Sequence, residues 1–152
     1  MAYSAADARR ELLDDLAVAV DALGRAVGAL GDAYEQLDEP TGDALEAQLF
    51  RPLQGAYGRA RRTHTEFAAR HGLPPRTFAP GGGGLPSRGA RAFIDAAMAA
   101  VTEADDRIGE LQDSMRPVEV GDAELRAGLS EVRRAIADLP ARARALARTL
   151  GR

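Results

Sequence analysis

The chain has 152 residues, 45% hydrophobic and 28% charged, with a net charge of −3, which is typical of a single soluble domain long enough to bury a core. It contains no Cys, Lys, Asn or Trp, which excludes disulfides, thiolate metal sites, Schiff-base enzymes and Walker A phosphate loops. All 20 residues in the Lys and Arg class are Arg, and with the frequent Ala and Gly this indicates a GC-rich bacterial genome.

The first predicted element is a long amphipathic helix over residues 5–38. Its apolar side chains recur every three or four residues and therefore share one helical face; they are Leu13, Leu16, Val20, Leu23, Val27, Leu30, Tyr34 and Leu37. Pro40 disfavours helical geometry at the preceding residue, so we expect the helix to end there. The longest apolar run, residues 16–20, is too short to span a membrane.

The second predicted helix covers residues 42–71, with Thr41 or Asp43 as its N-terminal cap. Its apolar positions are again three and four residues apart. Pro52 lies inside this helix and removes one backbone hydrogen bond, so we expect a kink or a split at that point.

A loop is predicted over residues 72–86, which are rich in Pro and Gly. It is long compared with ordinary helix–helix connections. Ser87 is the expected cap of a third helix over residues 88–115, which Pro117 would end. The apolar spacing of this helix matches that of the first.

The fourth predicted helix covers residues 122–150, with Asp122 as its cap. Pro140 is expected to bend this helix or to restart it with Asp138 as a new cap. Four helices with heptad-spaced apolar faces predict an all-α fold, an antiparallel up-down-up-down four-helix bundle formed by the whole chain, 1–152.

The net charge changes sign from one predicted helix to the next. It is −8 for residues 1–50, +7 for 51–91, −7 for 92–124 and +5 for 125–152. In an up-down-up-down ring every helix would then have oppositely charged neighbours, which disfavours wrong pairings.

A ligand pocket between the first two helices is one hypothesis for function. Glycines in a helix interior cost about 1 kcal/mol each, and Gly24, Gly28 and Gly31 lie close together on the first helix. They indicate either close helix packing or a groove that holds a ligand. The residues expected to line this groove are Leu23, Val27, Leu53, Tyr57 and His64.

The acidic stripe of the third helix is a weak candidate for metal binding; it consists of Glu103, Asp106, Glu110 and Asp113. The Glu-x-x-His element of ferritin-like sites is absent, because Arg61 precedes His64 and Ala68 precedes His71 at the required spacing. His64 and His71 are also about 10.5 Å apart along a helix, too far to bind one ion. The alternative interpretation is a solvated face that pairs with Arg, and no cofactor is predicted.

The leading functional hypothesis is a non-catalytic bundle that acts through protein–protein contacts or self-assembly, as a cytoplasmic homodimer. No set of nucleophile and base and no cofactor motif is present. Neither nucleic acid nor a membrane is expected as a partner, because the chain is acidic overall and has no recognition motif. The alternative is a small-ligand or metal-binding bundle, ferritin-like or all-α hydrolase-like, that uses the gap between the first two helices.

Overall fold

The structure is a computed structural model that describes residues 3–82 and 89–150. These residues are 82% helical and contain no strand, so the predicted all-α class is confirmed. The helices are α1 (Ala5–Tyr34), α2 (Glu39–Leu45), a π-helical turn (Glu46–Phe50), α3 (Arg51–Arg70), α4 (Ala90–Asp113), α5 (Arg116–Glu119), α6 (Ala123–Ile136) and α7 (Leu139–Leu150).

Three helices begin at side chains that cap their free backbone N–H groups. Ser4 accepts a hydrogen bond from the backbone of Asp7, whose carboxylate accepts one from the backbone of Ser4, a complete capping box for α1. Asp38 caps α2 and Asp122 caps α6, each by accepting from the N–H three residues further on. Asp122 is the cap that the sequence predicts.

The boundary between the first two helices differs from the prediction. Pro40 lies in the first turn of α2 rather than between the two helices, because proline fits a position whose N–H has no helical partner. The cap is Asp38, so the assignment to Thr41 or Asp43 is wrong. The first helix correspondingly ends at Tyr34, four residues before the predicted end.

Pro52 neither splits nor ends its helix, because the helix forms a wider, π-helical turn just before the proline. The backbone N–H of Arg51 bonds to the carbonyl of Glu46, five residues back, which is the π-helical pattern. Pro52 has no N–H for the carbonyl of Gln48, and the side chain of Arg142 on α7 donates to that carbonyl instead, at 3.3 Å. The helix therefore continues through residues 39–70.

The later helices are shorter than predicted. The third ends at Asp113, and Met115 follows in the left-handed conformation with φ 67°. Pro117 then lies in the first turn of α5. Pro140 marks a restart, since α6 ends at Ile136, residues 137 and 138 form a turn, and α7 begins at Leu139. The predicted cap Ser87 lies outside the described residues.

The helix α1 packs most extensively against α4, and the two run antiparallel. Arg25 in the second half of α1 pairs with Glu103 in the middle of α4. Asp15 in the first half of α1 pairs with Arg116, which follows the end of α4. The N-terminal half of one helix therefore lies beside the C-terminal half of the other.

The directions of the helices contradict the predicted up-down-up-down order. α3 is also antiparallel to α1, because Tyr57 lies beside Gly24 while Tyr34, near the end of α1, lies beside Gly42 in α2. Since α3 and α4 both oppose α1, they run in the same direction. α6 is antiparallel to α3, so the observed order is up, down, down, up.

The charge pattern predicted only some of the neighbours: the oppositely charged α1 and α3 are in contact, as are α4 and α6, but helices of like charge also pack together. The negative segments of α1 and α4 pack together, as do the positive segments of α3 and α6. Helices of the same net charge can pack together because a few residues of the opposite charge face the partner helix. Arg25 pairs with Glu103 between α1 and α4, and Glu131 pairs with Arg59 between α6 and α3. The net charge of a whole segment does not reveal which charges lie at these few positions.

The parallel arrangement of α3 and α4 requires a connection that runs back along the molecule. Residues 73–82, which we call the strap, have no regular secondary structure and follow α1 towards its C-terminal end. Arg76 pairs with Asp21, and Gly81 donates a backbone hydrogen bond of 3.0 Å to the carbonyl of Gly24. Residues 83–86 of the predicted loop lie outside the described residues.

Candidate functional site

The residues predicted to line a ligand pocket between α1 and α3 are all buried. Leu23 and Leu53 are fully buried, and Val27, Tyr57 and His64 are at most 7% exposed. The strap contacts both helices, through Gly81 on Gly24 of α1 and through Phe78 on His64 of α3. An external ligand in this groove would have to displace the chain's own backbone.

The glycines on α1 explain how the strap fits. A Cβ on Gly28 would overlap the carbonyl of Gly81 and lie 2.7 Å from the backbone nitrogen of Gly82. A Cβ on Gly24 would lie 3.3 Å from the carbonyl oxygen of Ala79. The close approach at Gly28 is therefore to the strap, and Gly24 lies close to both the strap and Tyr57 of α3, whereas Gly31 has open space.

The side chains of the strap bind both helices beneath it. Phe78 packs edge-on against the ring of His64 on α3, with ring centroids 5.0 Å apart. The guanidinium of Arg76 lies 5.0 Å above the Phe78 ring and donates to Asp21 on α1 at 2.8 Å. An aromatic contact and an ion pair thus hold the strap across the groove.

Two buried polar atoms beneath the strap have no hydrogen-bond partner within the described residues, the hydroxyl of Tyr57 and Nδ1 of His64. Burial raises the pKa of the Tyr57 hydroxyl. Burial and the nearby Arg76 lower the pKa of His64 despite a hydrogen bond with the Leu13 backbone. The His64 ring is therefore neutral at pH 7, and one of its nitrogens is unsatisfied.

The second histidine belongs to a different cluster, at the C-terminal end of α3. His71 lies 3.0 Å from the carboxylate of Asp122, which also accepts two hydrogen bonds from Arg70. The sequence identifies Asp122 as a cap but carries no signal for these partners, which are more than 50 residues away.

The acidic stripe of α4 does not form a cluster. Glu103 pairs with Arg25 on α1, and Glu110 lies 3.9 Å from Arg107 on its own helix. Within residues 3–82 and 89–150, no group of three or more His, Asp or Glu side chains is close enough to hold a metal ion. The ion pair of Glu103 accords with the interpretation of this stripe as a face that pairs with Arg.

A second candidate site, which the sequence did not indicate, is a groove of about 670 Å³ between α4 and α7. Its floor is apolar and built largely from small side chains. The lining residues are Arg91, Asp95, Met98, Ala99, Thr102, Pro140, Ala143, Arg144, Ala147 and Arg148. The only signal in the sequence was the density of Ala and Arg in α7, which has no acidic residue.

The arginines of this groove differ from most others in the protein. Ten arginines in the described part of the chain pair with carboxylates. Arg91, Arg144 and Arg148 make no ion pair, hydrogen bond or ring contact with any described residue, and neither does Asp95 beside them. Three uncompensated positive charges therefore surround one apolar floor.

No family model, curated protein or solved structure matches this chain. No helix within the described ranges is long and apolar enough to cross a membrane.

Proposed function

We propose that the protein is a non-catalytic four-helix bundle that acts through protein–protein contacts, and that the groove between α4 and α7 binds an acidic amphipathic helix of a partner. The observation that carries this proposal is the set of three uncompensated arginines around an apolar floor. Helix-in-groove recognition combines an apolar face with flanking charges.

The floor of the groove suits a helix that carries small or medium apolar side chains. Ala143 and Ala147 are one turn apart on α7, and Ala99 faces them from α4 with Met98 beside it. Small residues leave room for another backbone to approach, and Met adapts its shape to what packs against it. α7 is about 18 Å long, which matches about three turns of a bound helix.

The charges determine which helix would bind. Carboxylates on the flanks of a partner helix would meet Arg91 at one edge of the groove and Arg144 and Arg148 at the other. Arg forms bidentate contacts with carboxylates, and complementary charge mainly increases specificity and the association rate. Asp95 offers a site for one basic residue within such a helix.

The test uses two labelled peptides that share a Leu and Ala face and carry either Glu or Lys on their flanks. Fluorescence anisotropy measures their binding to the wild-type protein and to the R144E/R148E variant. We expect the Glu peptide to bind wild type and to bind the variant about tenfold more weakly, since two favourable charge pairs become repulsive. The Lys peptide should not bind wild type.

The matched control is R62E, because Arg62 is exposed, lies on α3 away from the groove and makes no ion pair with any described residue. This variant should bind the Glu peptide as wild type does. Equal binding by R144E/R148E and wild type would refute the proposal. Anionic vesicles that displace the Glu peptide would point to a lipid instead, and a concentration-dependent dimer lost in R144E/R148E would place a second copy in the groove.

A further inference from the structure

The strap lies over the one buried histidine among the described residues. Phe78 contacts the His64 ring, and Gly81 is held by a single backbone hydrogen bond to Gly24. Between residues 74 and 82, no other backbone hydrogen bond of the strap is formed with the described chain. The strap is thus held by few contacts, and one of them is to an ionisable group, the imidazole of His64.

The surroundings of His64 suit a neutral ring and not a charged one. Protonation would give both ring nitrogens an N–H group, but Nδ1 has no acceptor within the described residues. Arg76 on the strap is a like charge that opposes protonation, while Asp14 and Asp21 on α1 favour it. Asp21 is already paired with Arg76, so its charge is largely compensated.

We propose that the strap is a pH-sensitive cover: it is seated on α1 and α3 while His64 is neutral, and protonation of His64 releases it. Release uncovers the groove lined by Gly24 and Gly28 and frees the side chain of Tyr57. The buried hydroxyl and imidazole beneath the strap then become accessible to solvent or to a ligand. Of the residues predicted from sequence to bind a ligand, Tyr57 and His64 lie in this covered groove.

Movement of the strap is the least costly response to a charged His64. An imidazolium that remained buried would keep an unsatisfied N–H and a nearby guanidinium, and both are unfavourable where water is excluded. Opening the strap removes both Arg76 and Phe78 and admits water, at the loss of one exposed ion pair, one backbone hydrogen bond and the packing of Phe78 against His64 and the core. The helices beneath can remain in place, because α1 packs mainly against α4.

The experiment follows two signals by NMR on ¹⁵N-labelled protein as the pH is lowered from 8 to 5. One is the titration of the His64 ring, and the other is hydrogen exchange of the Gly81 amide, corrected for the intrinsic effect of pH. We expect the protection of Gly81 to fall by about tenfold with the same midpoint as His64. Amides in α6 should keep their protection and report that the protein remains folded.

Four variants distinguish an effect on the strap from an effect on the stability of the whole fold. In H64F the ring still packs but cannot be protonated, so Gly81 should stay protected at low pH; H64Q is a second neutral variant in case the first does not fold. In G28A the new methyl group overlaps the carbonyl of Gly81, so the amide should be unprotected at every pH. G31A makes the same change on the same helix where there is open space and should behave as wild type.

Two results would overturn the proposal. One is a Gly81 amide that keeps its protection throughout the titration of His64. The other is loss of protection at the same pH in the H64F or H64Q variant as in wild type.

Discussion

At the scale of single residues, Asp122 connects the ends of α3 and α6. Its carboxylate caps α6 through the backbone N–H of Leu125 and also accepts from Arg70 and His71. Burial would raise the pKa of Asp122, but these hydrogen bonds outweigh it and lower the pKa to about 2. The charged carboxylate therefore stabilises the folded state.

We predict that the D122N variant loses about 2 kcal/mol of unfolding free energy at pH 7, because Asn still caps a helix but cannot pair with Arg70. The D122A variant, which also loses the cap, should lose about 3 kcal/mol. Urea unfolding followed by circular dichroism measures both. As a control, D138N should change little, because Asp138 is 76% exposed and lies 3.8 Å from Arg142.

The contribution of the Asp122 carboxylate to the free energy of unfolding decreases as the pH is lowered. Because the folded-state pKa of Asp122 is below that of the unfolded chain, the stabilisation is fully present above about pH 4 and is lost as the pH falls towards 2. Wild type should therefore lose more stability over this range than D122N. An equal loss of unfolding free energy in wild type and D122N would show that the Asp122 carboxylate does not cause the pH dependence.

The sequence could predict only part of the role of Asp122. A cap acts over three residues, so Asp122 is recognisable from its local context. Its contacts with Arg70 and His71 bring together the ends of two helices and depend on how α3 meets α6. The same limit applies to His64, which could be predicted to lie near the core but not beneath the strap.

At the scale of helices, α3 and α6 lie very close together at Gly128. A Cβ at this position would lie 2.8 Å from Cγ2 of Thr63 and still closer to its hydroxyl oxygen. That hydroxyl donates to the carbonyl of Arg59 at 2.8 Å, so the Thr63 side chain is held in place by its own helix. At this distance between the two helices, a side chain at position 128 would overlap Thr63, so glycine is required there.

We predict that G128A destabilises the protein by about 1–3 kcal/mol through overpacking against Thr63. Adding T63A should recover part of this loss, whereas adding T63S should not, because Ser keeps the hydroxyl oxygen. A double-mutant cycle from thermal or urea unfolding measures the coupling. G55A is the control, because nothing lies within 4 Å of its new methyl group, and it should be neutral or slightly stabilising. Additive effects of G128A and T63A would contradict the close contact.

The behaviour of Pro52 shows why helix breaks are difficult to predict from sequence. Proline removes the hydrogen bond to Gln48, and this loss is local and predictable. Whether the helix breaks depends on what replaces the bond, and here a π-helical turn and the side chain of Arg142 do so. Arg142 lies on α7 and is 94 residues from Gln48.

At the scale of the whole molecule, the connection between α3 and α4 determines the arrangement of the helices. α4 has 24 residues and is about 36 Å long. Since α3 and α4 run in the same direction, the chain must return over roughly this distance between them. An extended chain covers about 3.3–3.6 Å per residue, so about ten residues are the minimum.

We predict that replacing residues 71–89 with a five-residue turn abolishes cooperative thermal unfolding, because that turn cannot reach the start of α4. Replacing only residues 73–82 with ten Gly and Ser residues should preserve a cooperative transition at a lower temperature, since the length is kept and the strap contacts are lost. Circular dichroism follows both transitions. A five-residue variant that unfolds as wild type does would show that the helices can be connected as an antiparallel hairpin.

The apolar spacing was sufficient to predict the all-α class and the approximate position of each helix, because helical periodicity is a local property of the chain. The neighbours and directions of the helices were decided by contacts between distant residues, such as Arg25 with Glu103 and Gly128 with Thr63. The glycines on α1 were recognisable as positions of close approach, but the partner that approaches them, the strap, follows from the way the chain returns along the molecule. Such contacts depend on complementary shapes and charges at a few positions, which neither periodicity nor net charge per helix can resolve.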